Sequence, residues 1–184
     1  MKTTTTEYSN KFLKVKKVIN PEKGVNGYLY AERLGTDSVA FILIDRNKNS
    51  ICVNHEYKPP VDKFINTAFG GSLDKNRKDG KDFNDYLFDI IIAETKEEAG
   101  YIIDKENVSY MGKKFVSTQM NQFCYLFLVD VTGKTLGDRE PENEVEASSS
   151  PIWFSFEQYY KNNNDLKEDW KTDSIMIELF KRSK

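Results

Sequence analysis

Histidine occurs once in the 184 residues and cysteine twice. His55 alone cannot build a zinc site from imidazole donors, and it reads as an ordinary strand or surface residue. Cys52 and Cys124 stand far apart without metal-ligand spacing, so they are expected to be buried thiols rather than a disulfide framework. Charge of one sign is also missing: 27 Lys plus Arg stand against 29 Asp plus Glu, a formal net charge of −2. No overall basic field exists to hold a nucleic-acid backbone, so no nucleic-acid partner is expected. No stretch approaches the roughly 18 apolar residues of a membrane span, and the polar start Met1 to Glu7 has no apolar signal region. A soluble, cytoplasmic protein without a membrane partner is expected. No internal repeat is visible. What is abundant is aromatic area, with 12 Phe, 10 Tyr and 2 Trp, enough for a real core and against wholesale disorder.

The length fits one domain with a small addition. Residues 1 to 11 carry a Thr run and little apolar content, and are expected to be a loose terminus. Phe12 to Ile19 and Tyr28 to Arg33, separated by Pro21, Gly24 and Gly27, read as a hairpin-like β extension over 12–36. The main domain is then 37–184. In it Val39 to Ile44 is a nearly continuous apolar run, the mark of a strand covered on both faces. Further strands are expected at Ile51 to Val53, Val108 to Tyr110, Phe115 to Val116, Phe123 to Val131 and Ile152 to Phe156. Asp74 to Asp85 reads as a polar surface loop. Tyr86 to Ala99 has helical periodicity and ends at Gly100, a natural helix stop. Residues 133 to 150 form a long acidic loop, of a length usually functional or disordered. Glu157 to Tyr160 starts a short helix that the Asn162 to Asn164 run breaks, and Thr172 to Arg182 is a final amphipathic helix. Strands around one long helix point to an α/β class.

The long helix breaks a rule. Leu87, Ile90, Ile91, Glu94, Glu97 and Glu98 share one side, so a stripe that begins apolar ends acidic. Three carboxylates at a helix C-terminus repel each other and the negative dipole end, by roughly several tenths of a kcal/mol each. Conflict of this kind tends to mark function. The compensation that fits is a hard divalent cation, Mg²⁺ or also Mn²⁺, which prefers carboxylate oxygen. The simpler reading is a solvated patch balanced by Lys96.

Gly71, then a loop, then Glu94-Thr95-Lys96-Glu97-Glu98-Ala99-Gly100-Tyr101 resembles the Nudix box, the signature of the Nudix hydrolase family. Its Glu-any-any-Glu-Glu-any-Gly part is intact. Upstream, Asn54 to Pro60 and Phe69 to Asp74 resemble the branch acting on ADP-ribose and nucleoside diphosphate sugars. Three departures stand out. Ala93 replaces the box arginine, Asp85 takes the place of the first box glutamate 14 residues beyond Gly71 rather than 6, an insertion of 8, and Thr95 fills an apolar position.

The resemblance implies a Nudix α/β/α sandwich with a mixed sheet and an N-terminal β extension that contributes to a homodimer. It implies divalent-metal-dependent hydrolysis of a pyrophosphate bond in ADP-ribose or a related small-molecule nucleotide. Glu94, Glu97, Glu98 and the Gly70 carbonyl would be metal ligands, with Glu97 also able to orient a water. Lys58 and Gly71 would meet substrate. A general base would come from the acidic loop, which offers Glu140, Glu142, Glu144 and Glu146, with Glu142 and Glu144 favoured. Tyr28 and Tyr30 read as packing residues before purine stackers. Two other readings stay open: a Nudix hydrolase of a nucleoside triphosphate or dinucleotide, and a catalytically weak nucleotide-sensing Nudix domain.

Overall fold

The apolar run at 39–44 becomes the strand around which everything else is layered. In the computed structural model, which describes residues 1–33, 37–73, 82–142, 144–161 and 168–183, nine strands and four α-helices are seen among those residues. The strands are β1 (Thr3–Ser9), β2 (Leu13–Asn20), β3 (Val25–Arg33), β4 (Ser38–Asp45), β5 (Ser50–Lys58), β6 (Lys63–Thr67), β7 (Val108–Phe115), β8 (Phe123–Asp130) and β9 (Ser150–Ser155). The helices are α1 (Phe83–Ala99), α2 (Glu144–Ser148), α3 (Phe156–Tyr160) and α4 (Trp170–Arg182).

The main sheet runs β6-β5-β4-β8-β7, with β9 paired to β5. It is mixed, since β4 and β8 are parallel while β7 on β8 and β5 on β4 are antiparallel. Alternation along β4 serves two cores. Val39, Phe41 and Leu43 pack with Leu87 and Ile91 of α1 on one face, and Ala40, Ile42 and Ile44 pack with Ile175 and Met176 of α4 on the other. This is the α/β/α sandwich expected from the sequence, and both cysteines are buried free thiols in it.

Local chemistry sets the element ends. Asp82 caps α1, its side chain accepting from the N–H groups of Asn84 and Asp85, so the helix starts three residues before its apolar periodicity does. The inserted residues 74–81 and the Asn162 to Asn164 run lie outside the described residues. Val108–Phe115 is one strand, not two: Gly112, at φ 129°, sits at a bulge in it, a conformation that glycine tolerates. Asp169, buried at the start of α4, accepts from Thr172 and also from the Ala68 N–H at 2.8 Å, tying that helix to the end of β6.

The N-terminal region departs from expectation. The Thr-rich residues 3–9, expected to be loose, pair with β2 from Thr3↔Ile19 to Ser9↔Lys14. β-Branched threonine favours extended backbone, and a neighbouring strand satisfies it without any apolar burial. The three-stranded sheet β1-β2-β3 docks on the β7–β8 connection. There the Ala31 N–H donates to the Gln119 carbonyl at 2.7 Å, the Asn121 N–H to the Ala31 carbonyl at 3.0 Å, and the Tyr28 hydroxyl to the Thr118 carbonyl at 2.5 Å. Tyr28 and Tyr30 line a small recess against this connection.

Candidate active site

After β6 the chain passes Phe69 to Ser72 beside β4. The Phe41 N–H donates to the Phe69 carbonyl and the Val39 N–H to the Gly71 carbonyl, both at 2.9 Å. Extended backbone alternates, so the N–H and C=O of Gly70 face away from β4, and the Gly70 N–H reaches Glu98 Oε2 at 3.4 Å. Gly70 is required by close approach of backbone, and at Gly71 the room is taken by a flexible carboxylate. A Cβ on Gly70 would fall on the Val39 carbonyl oxygen, and one on Gly71 on the Glu94 carboxylate. The acidic end of α1 is thus packed against the glycine pair.

Glu98 is 5% exposed and Glu94 half-buried. Burial, then the neighbouring Glu97, Glu146 and Glu142 charges, push Glu94 up to about 7. Burial and then Glu94 push Glu98 up to about 8, opposed by the Gly70 N–H and reinforced by Glu146 and Glu56. Glu97 is raised too, by burial and by Glu142, Glu146 and Glu140 against Lys96. Thr95, between them, is fully buried and donates its hydroxyl to the Ile91 carbonyl at 2.6 Å, so the non-apolar box position stays satisfied inside the helix.

The acidic loop is fastened to this helix end by backbone. Gly137 N–H donates to the Gly100 carbonyl at 2.8 Å and Glu140 N–H to the Glu97 carbonyl at 3.1 Å, while Lys96 and Glu140 pair at 2.9 Å. Arg139 then holds the end of α2, donating to the carbonyls of Glu146 and Ser149 at 2.9 and 2.8 Å. Position 93 holds an exposed alanine, so the arginine bracing this region comes from the loop. The Glu142 N–H donates to Glu146 Oε2 at 2.8 Å.

A cleft of about 410 Å³ opens at this place, with Glu98, Gly70 and Gly71 on its wall beside Glu56, Lys58 and Glu146. Lys58 Nζ pairs with Glu56 at 2.6 Å. Arg33 of β3 and Lys171 of α4 add two more cations. Glu94 stands behind Gly71, and Glu97 beside the loop. Of the loop carboxylates Glu146 lines the cleft. Glu142 is exposed but near enough to act on Glu94 and Glu97, and Glu144 is exposed and off the cleft wall. One turn of α2 and the Arg139 anchor turn Glu146 toward the cleft, beside Glu142 and Glu144, the two favoured from the sequence. Asp85, in the place of the first box glutamate, pairs with Lys105. His55 is outside the cleft, hydrogen-bonded through Nδ1 to Asn66 at 2.9 Å and stacked on Phe64. Lys171 and Arg33 carried no motif, and Asn54, which heads the Asn54 to Pro60 stretch, was given no role; its signal was a carboxamide ending the apolar run Ile51-Cys52-Val53.

Among the described residues no three His, Cys, Asp or Glu side chains make a ready cage for an ion. The donors do fit Mg²⁺ or Mn²⁺, which take hard oxygen from a few carboxylates and leave the remaining positions to water and phosphate: buried Glu98, half-buried Glu94 and the outward edge of Gly70 would supply such oxygen.

No family model matches the chain, and no curated protein sequence matches it. Among solved structures 183 chains match, a breadth that says little about substrate. One of them, a crystal structure of an ADP compounds hydrolase, has a TM-score of 0.69 at 12% identity over 98% of this chain and 90% of that one. The chain therefore has a Nudix-like α/β/α fold, similar to that of a hydrolase of ADP compounds.

Proposed function

We propose that the chain hydrolyses the pyrophosphate bond of ADP-ribose or a related nucleoside diphosphate sugar, releasing a nucleoside monophosphate and a sugar phosphate. The observation that carries this is the packing of Glu94 and Glu98 against Gly70-Gly71 beside a cleft that also holds Lys58. Carboxylates crowded into a buried place stay charged only beside positive charge, and a divalent ion shared with the phosphates of a diphosphate would supply it. Glu94, Glu98 and the Gly70 carbonyl, with Glu97 near, would hold a divalent ion, Mg²⁺ or Mn²⁺, which would supply charge neutralisation for the diphosphate and a more acidic water. Lys58, held by Glu56, lines the same cleft and would meet phosphate oxygens. The missing Cβ at Gly71 keeps room for Glu94. Glu146, whose carboxylate accepts from the Glu142 N–H and lines the cleft, would take a proton from an attacking water.

Ala93 in place of the box arginine favours, as a second reading, a domain that binds a nucleotide and turns it over weakly. A homodimer through the β1-β2-β3 sheet goes with either. The test is a panel of ADP-ribose, sugar nucleotides, dinucleotides and nucleoside triphosphates with Mg²⁺ or Mn²⁺, scored for released AMP and phosphate. Glu98→Gln is expected to lower turnover about 100-fold or more while the protein stays folded. An unaltered rate removes α1 from the chemistry, and tight binding without release selects the second reading.

A further inference from the structure

At the floor of the cleft three polar side chains from distant parts of the chain meet. Asn54 and Thr67 are Cα partners on β5 and β6, so their side chains project on the same face. Lys171, in the first turn of α4, donates to Thr67 Oγ1 at 3.2 Å and pairs with Asp169 at 3.6 Å. Asp169 in turn is fixed by Ala68 and Thr172. The lysine is therefore a held group, not a loose surface chain, and it lines the cleft. Asn54 lines it as well, is 3% exposed, and its Oδ1 is buried without a hydrogen-bond partner. A buried carboxamide oxygen left unsatisfied is costly and calls for a ligand donor.

The lining is informative for its chemistry. Among the described residues no aromatic side chain is on the cleft wall, so nothing there offers a nucleobase a face to stack on. A carboxamide matches hydroxyl groups, which both donate and accept, and an ammonium matches phosphate. We infer that Asn54 and Lys171 form a subsite that takes the phosphorylated, polyhydroxylated sugar half of the substrate and leaves its nucleobase half outside this floor. The inference rests on the hydrolase reading for the identity of the whole substrate, but a fragment can test it without turnover.

Binding of ribose 5-phosphate, AMP and inorganic phosphate to the full chain, with Mg²⁺ present, is measured by titration for wild type, Asn54→Leu, Lys171→Met and Lys171→Arg. Each of the first two variants is expected to weaken ribose 5-phosphate about fivefold or more and to leave AMP within about twofold. Inorganic phosphate separates the two groups: it weakens in Lys171→Met and holds in Asn54→Leu. Lys171→Arg keeps the charge and retains ribose 5-phosphate binding, which guards against a fold lost through the Thr67 and Asp169 contacts. Failure of wild type to bind ribose 5-phosphate, equal binding in Asn54→Leu, or a parallel loss of AMP overturns the subsite. A wild type that binds the fragments but cleaves nothing keeps the subsite and removes the hydrolase. One that cleaves ADP-ribose with an unchanged KM in Asn54→Leu does the reverse.

Discussion

β4 and β1 are both regular strands, yet they are held by opposite means. Seven of the eight residues of β4 are buried, and all seven of β1 are exposed. The first is covered by α1 and α4, and its stability is apolar burial. The second rests on ladder hydrogen bonds to β2, and its sheet meets the sandwich mainly through a few backbone contacts near Ala31. The same backbone geometry is therefore a property of the core in one case and of local pairing in the other. The site belongs mostly to the first region: among the described residues of the extension, Arg33 alone lines the cleft.

The sharpest way to break this contrast is truncation in the sandwich. Phe41→Ala, at a fully buried ring stacked on Phe69, is expected to cost about 3–5 kcal/mol in denaturant unfolding. A cost no larger than that of Leu29→Ala, a half-exposed position on β3, would erase the distinction. A smaller effect is expected from pH. Glu94 and Glu98 have folded values near 7 and 8, above those of unfolded carboxylates, so the folded state binds more protons between about pH 4.5 and 8. Metal-free protein is expected to lose stability as pH rises through that window, by a few degrees of Tm, with Mg²⁺ restoring it at pH 8 and doing little at pH 5. A melting point that climbs from pH 5 to 8 without metal would contradict the burial of these groups. The smallest effect is expected at the join. Tyr28→Phe removes one hydrogen bond to Thr118 and should leave global Tm within about a degree, while amide exchange in β1–β3 speeds up relative to β4 and β8.

Legibility followed the same divide. The β4 run, the α1 stripe and the stop at Gly100 could be read because burial writes itself as apolar periodicity. β1 could not, because threonine pairing requires no apolar signature, and Val108–Phe115 read as two strands because the glycine of a bulge is the same residue that a turn uses. In the site, Glu94, Glu98 and the glycine pair were legible from spacing. Which of four alternating loop glutamates turns inward was not, since α2 and its anchor at Arg139 depend on contacts with Ser149 and with the end of α1. Asn54 and Lys171 are separated by more than a hundred positions and meet only through strand register and a helix cap.

The loop that carries Glu140 to Glu146 is stitched to the last turn of α1 at Gly137 and Glu140 through peptide groups. Such stitching is indifferent to side-chain identity. Carboxylates along that stretch can be exchanged, lost or gained without rerouting the chain, which gives the molecule a mutable rim on a fixed seat and a route to new chemical preferences at little structural risk.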